Sequence, residues 1–348
     1  MVIGFPKTDF QQVEYMNLIV PMAGMGKRLR PHTLTTPKPL IPIAGKPIVQ
    51  RLVEDIAAVT PEKIEHIGFV VGDFGPETEA QLLQIAQAVG ATGHIFYQQE
   101  ALGTAHAVHC AREVLQGRVT VAFSDTLFKA NFTLNTEDDG IIWVKRVEDP
   151  SAYGVVNLDI EGVITEFVEK PKNPVSDLAI IGIYYFKEGE KLRDQLDYII
   201  EHDIRASGEF QLTTALENLK KEGIRFTTGA VDEWLDCGNK KVTVQSNSRY
   251  LGFLAENIIS DSAVIEGTVI IPPVYIGDGV KITSSVIGPN VSVGAGSEIR
   301  DSRIKDSLIQ NHVNLKDINL VNSMIGNFVI MEAKPAEVSL GDFTEWKG

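Results

Sequence analysis

The sequence predicts an α/β fold: a Rossmann-like domain with a mixed, mostly parallel sheet, followed by a short parallel β-helix. Up to about residue 250, β-branched runs such as NLIVPM and VTVAFSD alternate with helical stretches such as PIVQRLVEDIAAV. This alternation is typical of right-handed βαβ units. From about residue 259, aliphatic residues recur at steps of six with Gly, Asn, Asp and Ser between them, which indicates stacked β-helix coils.

These patterns divide the chain into four predicted segments. They are an N-terminal extension over 1–15, the Rossmann-like domain over 16–250, the β-helix over 251–334 and a C-terminal tail over 335–348.

Composition excludes several classes of protein. The chain has 348 residues, and its 46 acidic residues against 32 basic ones give a net charge of −14, which argues against broad binding to nucleic acid or to anionic membranes. Cys110 and Cys237 alone cannot form a disulfide framework. No apolar run reaches the roughly 18 residues of a membrane span, and the first residues are too acidic for a secretion signal. We therefore expect a cytoplasmic protein.

One stretch, PMAGMGKRLRPHTLTTPKPLIPIAGK, carries five cations and no acid in this acidic chain. It follows a predicted strand, and ligands of open α/β sheets bind beyond the carboxyl ends of the strands. The stretch is not a Walker A motif, because Arg28 follows Lys27, and it lacks the third glycine of a dinucleotide fingerprint. Gly24 and Gly26 instead predict a strand-to-helix turn whose backbone N–H groups approach a small anion.

The same stretch resembles the signature of the sugar-1-phosphate nucleotidylyltransferases, or nucleotide-sugar pyrophosphorylases. The resemblance implies that this loop wraps a nucleoside triphosphate, with Arg28 at the pyrophosphate end and Lys38 near the transferred phosphoryl group. Two residues depart from the family pattern, because Ala23 replaces a glycine and Lys27 replaces a Thr or Ser. The loop residues expected to bind the nucleotide are Ala23, Gly24, Gly26 and Lys27.

A second segment, YQQEALGTAHAV, is similar to the base-reading segment of the uridylyl and thymidylyl members. Gln98 lies five residues before Gly103, and Thr104 follows. A carboxamide offers a donor and an acceptor to uracil or thymine, and a glycine leaves room for the base. The resemblance therefore favours UTP or dTTP. The alternative is that Gln98 ends a strand and Gly103 and Thr104 begin a helix.

Two further segments carry the expected metal ligands. VAFSDTLF resembles a strand ending in Gly-Asp, with Ser124 in place of the glycine, and EWLDCGNK resembles a later W-x-D-x-G-T segment. The resemblance assigns Asp125 and Asp236 to Mg²⁺, which usually takes one or two protein carboxylates.

The segments EDPSAYGVVNLDIEGVITEFVEKP and AIIGIYYF resemble the part of the family that binds the sugar phosphate. The implied residues are Gly154 near the sugar ring, Glu169 as a hydroxyl acceptor, Lys170 as a phosphate clamp and Gly182 closing the pocket. Thr214 stands where many members have Asp. The first of these segments also reads as a plain β-hairpin, and both interpretations can hold at once.

The resemblance implies transfer of a nucleoside monophosphate to a sugar 1-phosphate, with Arg28, Lys38 and Lys170 as the catalytic residues. It also implies a left-handed β-helix, which we expect to support a homo-oligomer. The expected partners are these two substrates, and we expect binding neither to nucleic acid nor to a membrane. Two alternatives stay open: a non-catalytic relative that senses nucleotide sugars, and a bifunctional enzyme with an acyltransferase in the β-helix. His106, His109 and Cys110 share a helix face, but no further Cys or His cluster supports a structural zinc.

Overall fold

The computed structural model describes residues 15–130, 133–171, 173, 175–254 and 257–334. The predicted N-terminal extension, apart from Tyr15, and the predicted C-terminal tail lie outside the described residues. Packing divides the chain into two compact units, one built from the segment up to residue 41 with 47–238, the other from 42–46 with the segment from 239 onward. No helix among the described residues is long and apolar enough to cross a membrane.

The described part of the first unit contains a mixed sheet of nine strands. Numbered along the chain, its strands are β1 (Tyr15–Pro21), β4 (Lys63–Val71), β5 (Thr92–Tyr97), β6 (Val119–Ala122), β8 (Gly140–Arg146), β9 (Gly154–Leu158), β10 (Ile164–Glu169), β11 (Leu178–Phe186) and β12 (Phe226–Ala230). The order is β10-β9-β11-β6-β1-β4-β5, and β8 pairs with β11 and β12. Strands β6, β1, β4 and β5 are parallel, whereas β11 runs antiparallel to β6, β8 and β9.

Among the described residues, five helices, three 3₁₀ turns and a two-stranded ribbon complete this unit. The helices are α1 (Ile48–Val59), α2 (Pro76–Ala88), α3 (Thr104–Cys110), α4 (Gly189–Glu201) and α5 (Leu212–Lys221). The 3₁₀ turns are Lys27–Leu29, Lys38–Leu40 and Arg112–Val114. The ribbon pairs β7 (Thr126–Lys129) with β13 (Glu233–Asp236) in antiparallel register.

Strand order places the cation-rich loop at a crevice of the sheet. Strand β1 has β4 on one side and β6 on the other, and all three run parallel. The connections that leave β1 and β6 therefore open at the same edge, at a topological switch point where open α/β sheets bind ligands. The core beneath packs fully buried side chains such as Ile19, Val121 and Ile142 against helices α3, α4 and α5.

The second unit is a parallel β-helix, as the sequence predicted. It contains the hairpin strands β2 (Pro42–Ile43) and β3 (Lys46–Pro47), helix α6 (Lys240–Phe253), and the coil strands β14 (Ile258–Ile259), β15 (Val264–Glu266), β16 (Val269–Ile270), β17 (Val274–Ile276), β18 (Lys281–Thr283), β19 (Val286–Ile287), β20 (Val291–Val293), β21 (Glu298–Arg300), β22 (Arg303–Lys305), β23 (Ser307–Ile309), β24 (Asn314–Lys316), β25 (Asn319–Val321), β26 (Met324–Ile325) and β27 (Ile330–Glu332).

The coil strands stack into three parallel sheets, one for each face of the coil. The aliphatic residues of the six-residue pattern line its core, and Ile282, Ile299 and Leu315 stack on successive coils and are fully buried. A corner column of Ser284, Asp301 and Asp317 has positive φ angles. Short polar side chains tolerate this left-handed backbone conformation better than bulky ones. The arrangement fits the left-handed β-helix that the resemblance implied.

Helix α6 packs with the β-helix. The second unit therefore begins at residue 239, earlier than the boundary after residue 250 that the sequence pattern predicted. Asn239 begins the helix, because its side chain accepts hydrogen bonds from the N–H groups of Lys241 and Val242. The buried Asn247 then accepts hydrogen bonds from the Ser292 hydroxyl at 2.8 Å and from the Ala44 N–H at 2.9 Å. These polar contacts attach the helix and the β2–β3 hairpin to the coil.

Candidate active site

A cleft of about 410 Å³ lies at the switch point of the first unit. Of the predicted site residues, it is lined by Ala23, Gly24, Gly26, Lys27, Arg28, Lys38, Gln98, Gly103, Thr104 and Asp125. The structure thus gathers the predicted nucleotide-binding residues with three residues expected near the phosphates.

The glycine loop is held against the segment that carries Lys38. Gly26 has a φ of 57°, and a Cβ added there would lie 2.9 Å from the Cβ of Lys38. The Thr33 hydroxyl donates a 2.8 Å hydrogen bond to the Gly26 carbonyl. Gly26 is therefore required by its backbone conformation and by close packing, and its turn brings Lys27 and Arg28 to the cleft.

Lys38 and Asp125 form an ion pair in the cleft. The Lys38 ammonium lies 2.8 Å from a carboxylate oxygen of Asp125, and Lys38 is only 9% exposed. The resemblance assigned these residues to the phosphoryl group and to the metal ion respectively. Their contact places the residue predicted to bind the phosphoryl group next to a residue predicted to bind the metal ion.

Asp236 lies beside Asp125 although 111 residues separate them in sequence. Asp236 pairs with Thr126 across the β13–β7 ribbon, and the Cys237 N–H donates to the Asp125 carbonyl at 3.0 Å. Burial and, second, the nearby Asp125 charge raise the pKa of Asp236. The Gly238 N–H holds the Asp236 carboxylate at 2.7 Å.

This pair of carboxylates fits a divalent cation. Burial is the largest cause of the raised pKa of Asp236 and the charge of Asp125 is the second, and a cation shared by the two carboxylates would offset both. Among the described residues no group of three or more His, Cys, Asp or Glu side chains could hold a metal ion. Two carboxylates suffice for Mg²⁺, which completes its octahedron with water and phosphate oxygens.

Gly238 was missed as a site residue by the sequence reasoning, although it lies in the quoted EWLDCGNK segment. A Cβ at Gly238 would lie 2.9 Å from one oxygen of Asp236 and 3.2 Å from Nη2 of Arg28. Glycine therefore leaves the space in which the Arg28 guanidinium and the Asp236 carboxylate approach each other. Glu209 also lines the cleft; its segment GEFQLTTAL resembles the part of the family that closes the sugar pocket, but Glu209 itself was not predicted as a site residue.

The predicted base-reading residues meet at the edge of the cleft. The Gln98 Nε2 donates to the Gly103 carbonyl at 3.2 Å and pairs with His106 Nδ1 at 3.0 Å. Gly103 has a φ of 119°, and a Cβ there would lie 2.4 Å from the carbonyl oxygen of Phe210. The helix interpretation is confirmed at Thr104, which begins α3 and whose hydroxyl accepts from the Leu212 N–H at 2.9 Å, whereas the base-reading role stays a prediction.

The predicted sugar-phosphate residues form a neighbouring group on strands β9 and β10. Gly154 pairs with Glu169 across this antiparallel pair, so the hairpin interpretation is correct. A Cβ at Gly154 would lie 3.2 Å from Oε2 of Glu169, which also accepts a 3.2 Å hydrogen bond from the Thr213 hydroxyl. The Lys170 ammonium lies 3.5 Å from Oε1 of Glu169.

Tyr153 connects this group to the carboxylates. The Lys170 N–H donates to the Tyr153 carbonyl at 3.1 Å, and the Tyr153 ring packs edge-on against Trp234 at 5.0 Å. Burial raises the pKa of Tyr153, and the next largest cause is the charge of Asp236. Gly182 (φ 86°) lies nearer to Asp125, because a Cβ there would contact Phe123 and Thr126.

The histidines considered as metal ligands have other partners. His106 bonds Gln98, and Nε2 of His109 lies 2.8 Å from a carboxylate oxygen of Asp197 on α4. Cys110 is partly buried, and burial raises the pKa of its thiol.

Residues 18–251 match the family model described as nucleotidyl transferase. The chain belongs to this family. It is 33% identical to a glucose-1-phosphate thymidylyltransferase from Streptomyces antibioticus, over 83% of this chain and 81% of that protein. It is 32% identical to the bifunctional protein GlmU from Methanocaldococcus jannaschii, over 74% of this chain and 60% of that protein.

Solved structures of nucleotidyl transferase relatives share the fold. The crystal structure of a candidate glucose-1-phosphate thymidylyltransferase from Bacillus anthracis, in complex with a sucrose, superposes with a TM-score of 0.57 at 25% identity. The match covers 68% of this chain and 95% of that one. The match over residues 18–251 includes every predicted site residue.

The pKa of Asp236 gives this nucleotidyl transferase a testable pH dependence. Because the native pKa is raised above 3.8, the protonated carboxyl stabilises the fold at low pH, and this stability is lost as pH rises through the native pKa. Asp236→Asn resembles the protonated form and keeps an acceptor for the Gly238 N–H. In the presence of a chelator, we expect the variant to unfold at a higher temperature than the wild type at pH 7, with a smaller gain at pH 4.

Scanning calorimetry at both pH values measures this difference. Asp177→Asn is the matched control, because Asp177 is an exposed carboxylate paired with Arg146, and exposed pairs contribute little. A variant Asp236→Asn that unfolds at the same or a lower temperature than the wild type at pH 7 would contradict a raised pKa of Asp236 in the folded protein.

Proposed function

We propose that this chain transfers a nucleoside monophosphate from UTP or dTTP to a sugar 1-phosphate, giving a nucleotide sugar and pyrophosphate. The observation that carries the proposal is that Arg28, Lys38 and Asp125 line one cleft beside a glycine loop, with Asp236 close enough for their charges to act on it. The names of the relatives support the sugar phosphate as the acceptor.

The reaction needs charge neutralisation more than proton transfer. An oxygen of the sugar phosphate, already anionic, forms a bond to the α-phosphorus, and the bond from that phosphorus to the pyrophosphate oxygen breaks. Arg28 and Lys38 hold the pyrophosphate end as negative charge moves onto it. Lys170 orients the attacking phosphate, and Glu169 accepts a sugar hydroxyl. Mg²⁺ held by Asp125 and Asp236 would neutralise charge at the α-phosphate.

Lys38 and the two carboxylates act together in this proposal. The Lys38 ammonium forms an ion pair with the Asp125 carboxylate. A triphosphate brings several negative charges to the same place, so Lys38 can contact phosphate oxygens, and Asp125 would then be available to hold a divalent cation. The ion pair therefore keeps a buried lysine compensated until substrate arrives.

Pyrophosphate release from a grid of nucleoside triphosphates against sugar 1-phosphates tests this function. We expect UTP or dTTP to be used in preference to ATP, GTP and CTP, and Gln98→Ala to reduce discrimination between bases by about 1–3 kcal/mol, since it removes a part-buried hydrogen-bonding group. A clear preference for a purine triphosphate would contradict the assignment. If no pair of substrates gives pyrophosphate release, the regulatory alternative would be favoured. Turnover of acetyl-coenzyme A would favour the acyltransferase alternative.

We also propose that the chain works in the cytoplasm as a homo-oligomer assembled through the β-helix. The coil keeps Val269, Val321 and Ile330 more than half exposed, and each end of a stacked coil leaves unpaired strand groups that a second subunit can cover. Light scattering of the intact chain should report a dimer or larger. A monomer at micromolar concentration would contradict this proposal. It would not contradict the proposed nucleotidyl transfer.

A further inference from the structure

The carboxamide of Gln98 is held by two protein acceptors. Its nitrogen donates to the Gly103 carbonyl at 3.2 Å and pairs with Nδ1 of His106 at 3.0 Å. A primary amide nitrogen carries two hydrogens, so both are used within the protein. The group of this side chain without a partner among the described residues is its oxygen Oε1, and Gln98 lines the cleft.

Two neighbours fix this orientation. The Gly103 carbonyl only accepts, so the nitrogen of Gln98 and not its oxygen must face it. The direction of the second bond depends on the tautomer of His106. Burial and, second, the charge of His109 lower the pKa of His106, whereas Glu100 raises it less. The neutral ring therefore predominates at neutral pH, and with its hydrogen on Nε2 it presents Nδ1 as an acceptor.

We propose that His106 is a positioning residue that holds the Gln98 carboxamide with its oxygen available to the nucleobase, and that it thereby selects uracil or thymine over cytosine. Uracil and thymine carry an N–H at position 3, which an amide oxygen accepts. Cytosine carries a bare nitrogen there, which faces the oxygen with a lone pair. Guanine also has a ring N–H, so His106 discriminates between the pyrimidines rather than against all purines.

This inference rests on the proposed function for the role of Gln98 and adds the residue that sets its direction. Without an acceptor at position 106, only the Gly103 carbonyl opposes rotation of the carboxamide. The rotated amide presents its nitrogen to the base, and this nitrogen can donate a hydrogen bond to the bare ring nitrogen of cytosine. Selectivity between UTP and CTP should therefore fall by about tenfold, the size of effect expected from one misplaced hydrogen-bonding group.

The experiment compares four variants of the full chain with the wild type. His106→Leu and His106→Ala remove the acceptor, and His106→Asn restores it, because the Asn oxygen can occupy the place of Nδ1. His109→Asn is the matched control, since His109 lies on the same helix but bonds Asp197. Isothermal titration with UTP and with CTP gives a ratio of affinities, and turnover with each nucleotide and one sugar 1-phosphate gives a ratio of kcat/KM. Circular dichroism confirms folding of each variant.

We expect both ratios to fall about tenfold in His106→Leu and His106→Ala and to remain within about twofold of the wild type in His106→Asn and His109→Asn. A purely structural role for His106 would lower affinity for both nucleotides and leave the ratio unchanged, which would overturn the inference. A wild type that binds UTP and CTP equally would overturn it as well. Selective binding without turnover in any combination would leave the inference standing and refute the proposed function.

Discussion

The site depends on one unfavourable interaction, the approach of two carboxylates. Asp125 and Asp236 are held together by the β7–β13 ribbon, and burial first, then the charge of Asp125, raise the pKa of Asp236. Like charges at close range are costly away from bulk water. The fold tolerates the cost because the ribbon is fixed by backbone hydrogen bonds, and because Lys38 and Arg28 supply compensating charge.

The rest of the cleft is arranged around this pair. Strand β1 delivers the glycine loop and its cations to the switch point, and β6 leads directly into the segment with Asp125. Gly26 is required because a Cβ there would push the glycine loop away from Lys38. Gly238 is required because a Cβ there would separate the Arg28 guanidinium from the Asp236 carboxylate. Tyr153 and Trp234 then connect the carboxylates to the Glu169–Lys170 group.

Local patterns in the sequence predicted the class of each part, but not the contacts between parts. The six-residue spacing of aliphatic residues predicted the β-helix because it reports burial directly. The position of Asp236 beside Asp125 could not be read from spacing, since it depends on a strand pairing between residues 111 positions apart. The hydrogens of Gln98 were expected to contact the base, yet Gly103 and His106 take both. Such orientation depends on tertiary neighbours, which a linear pattern does not contain.

We propose that Asp125 and Asp236 act as one metal-binding unit in nucleotidyl transfer. Turnover of the variants Asp125→Asn, Asp236→Asn and their combination tests this proposal most directly. Each single change should lower kcat by about a hundredfold or more, since a bound metal ion contributes several kcal/mol to the transition state. The double variant should be little worse than either single one, because two ligands of one ion are not additive. Near-normal turnover in Asp125→Asn, or multiplied losses in the double variant, would contradict the shared metal site.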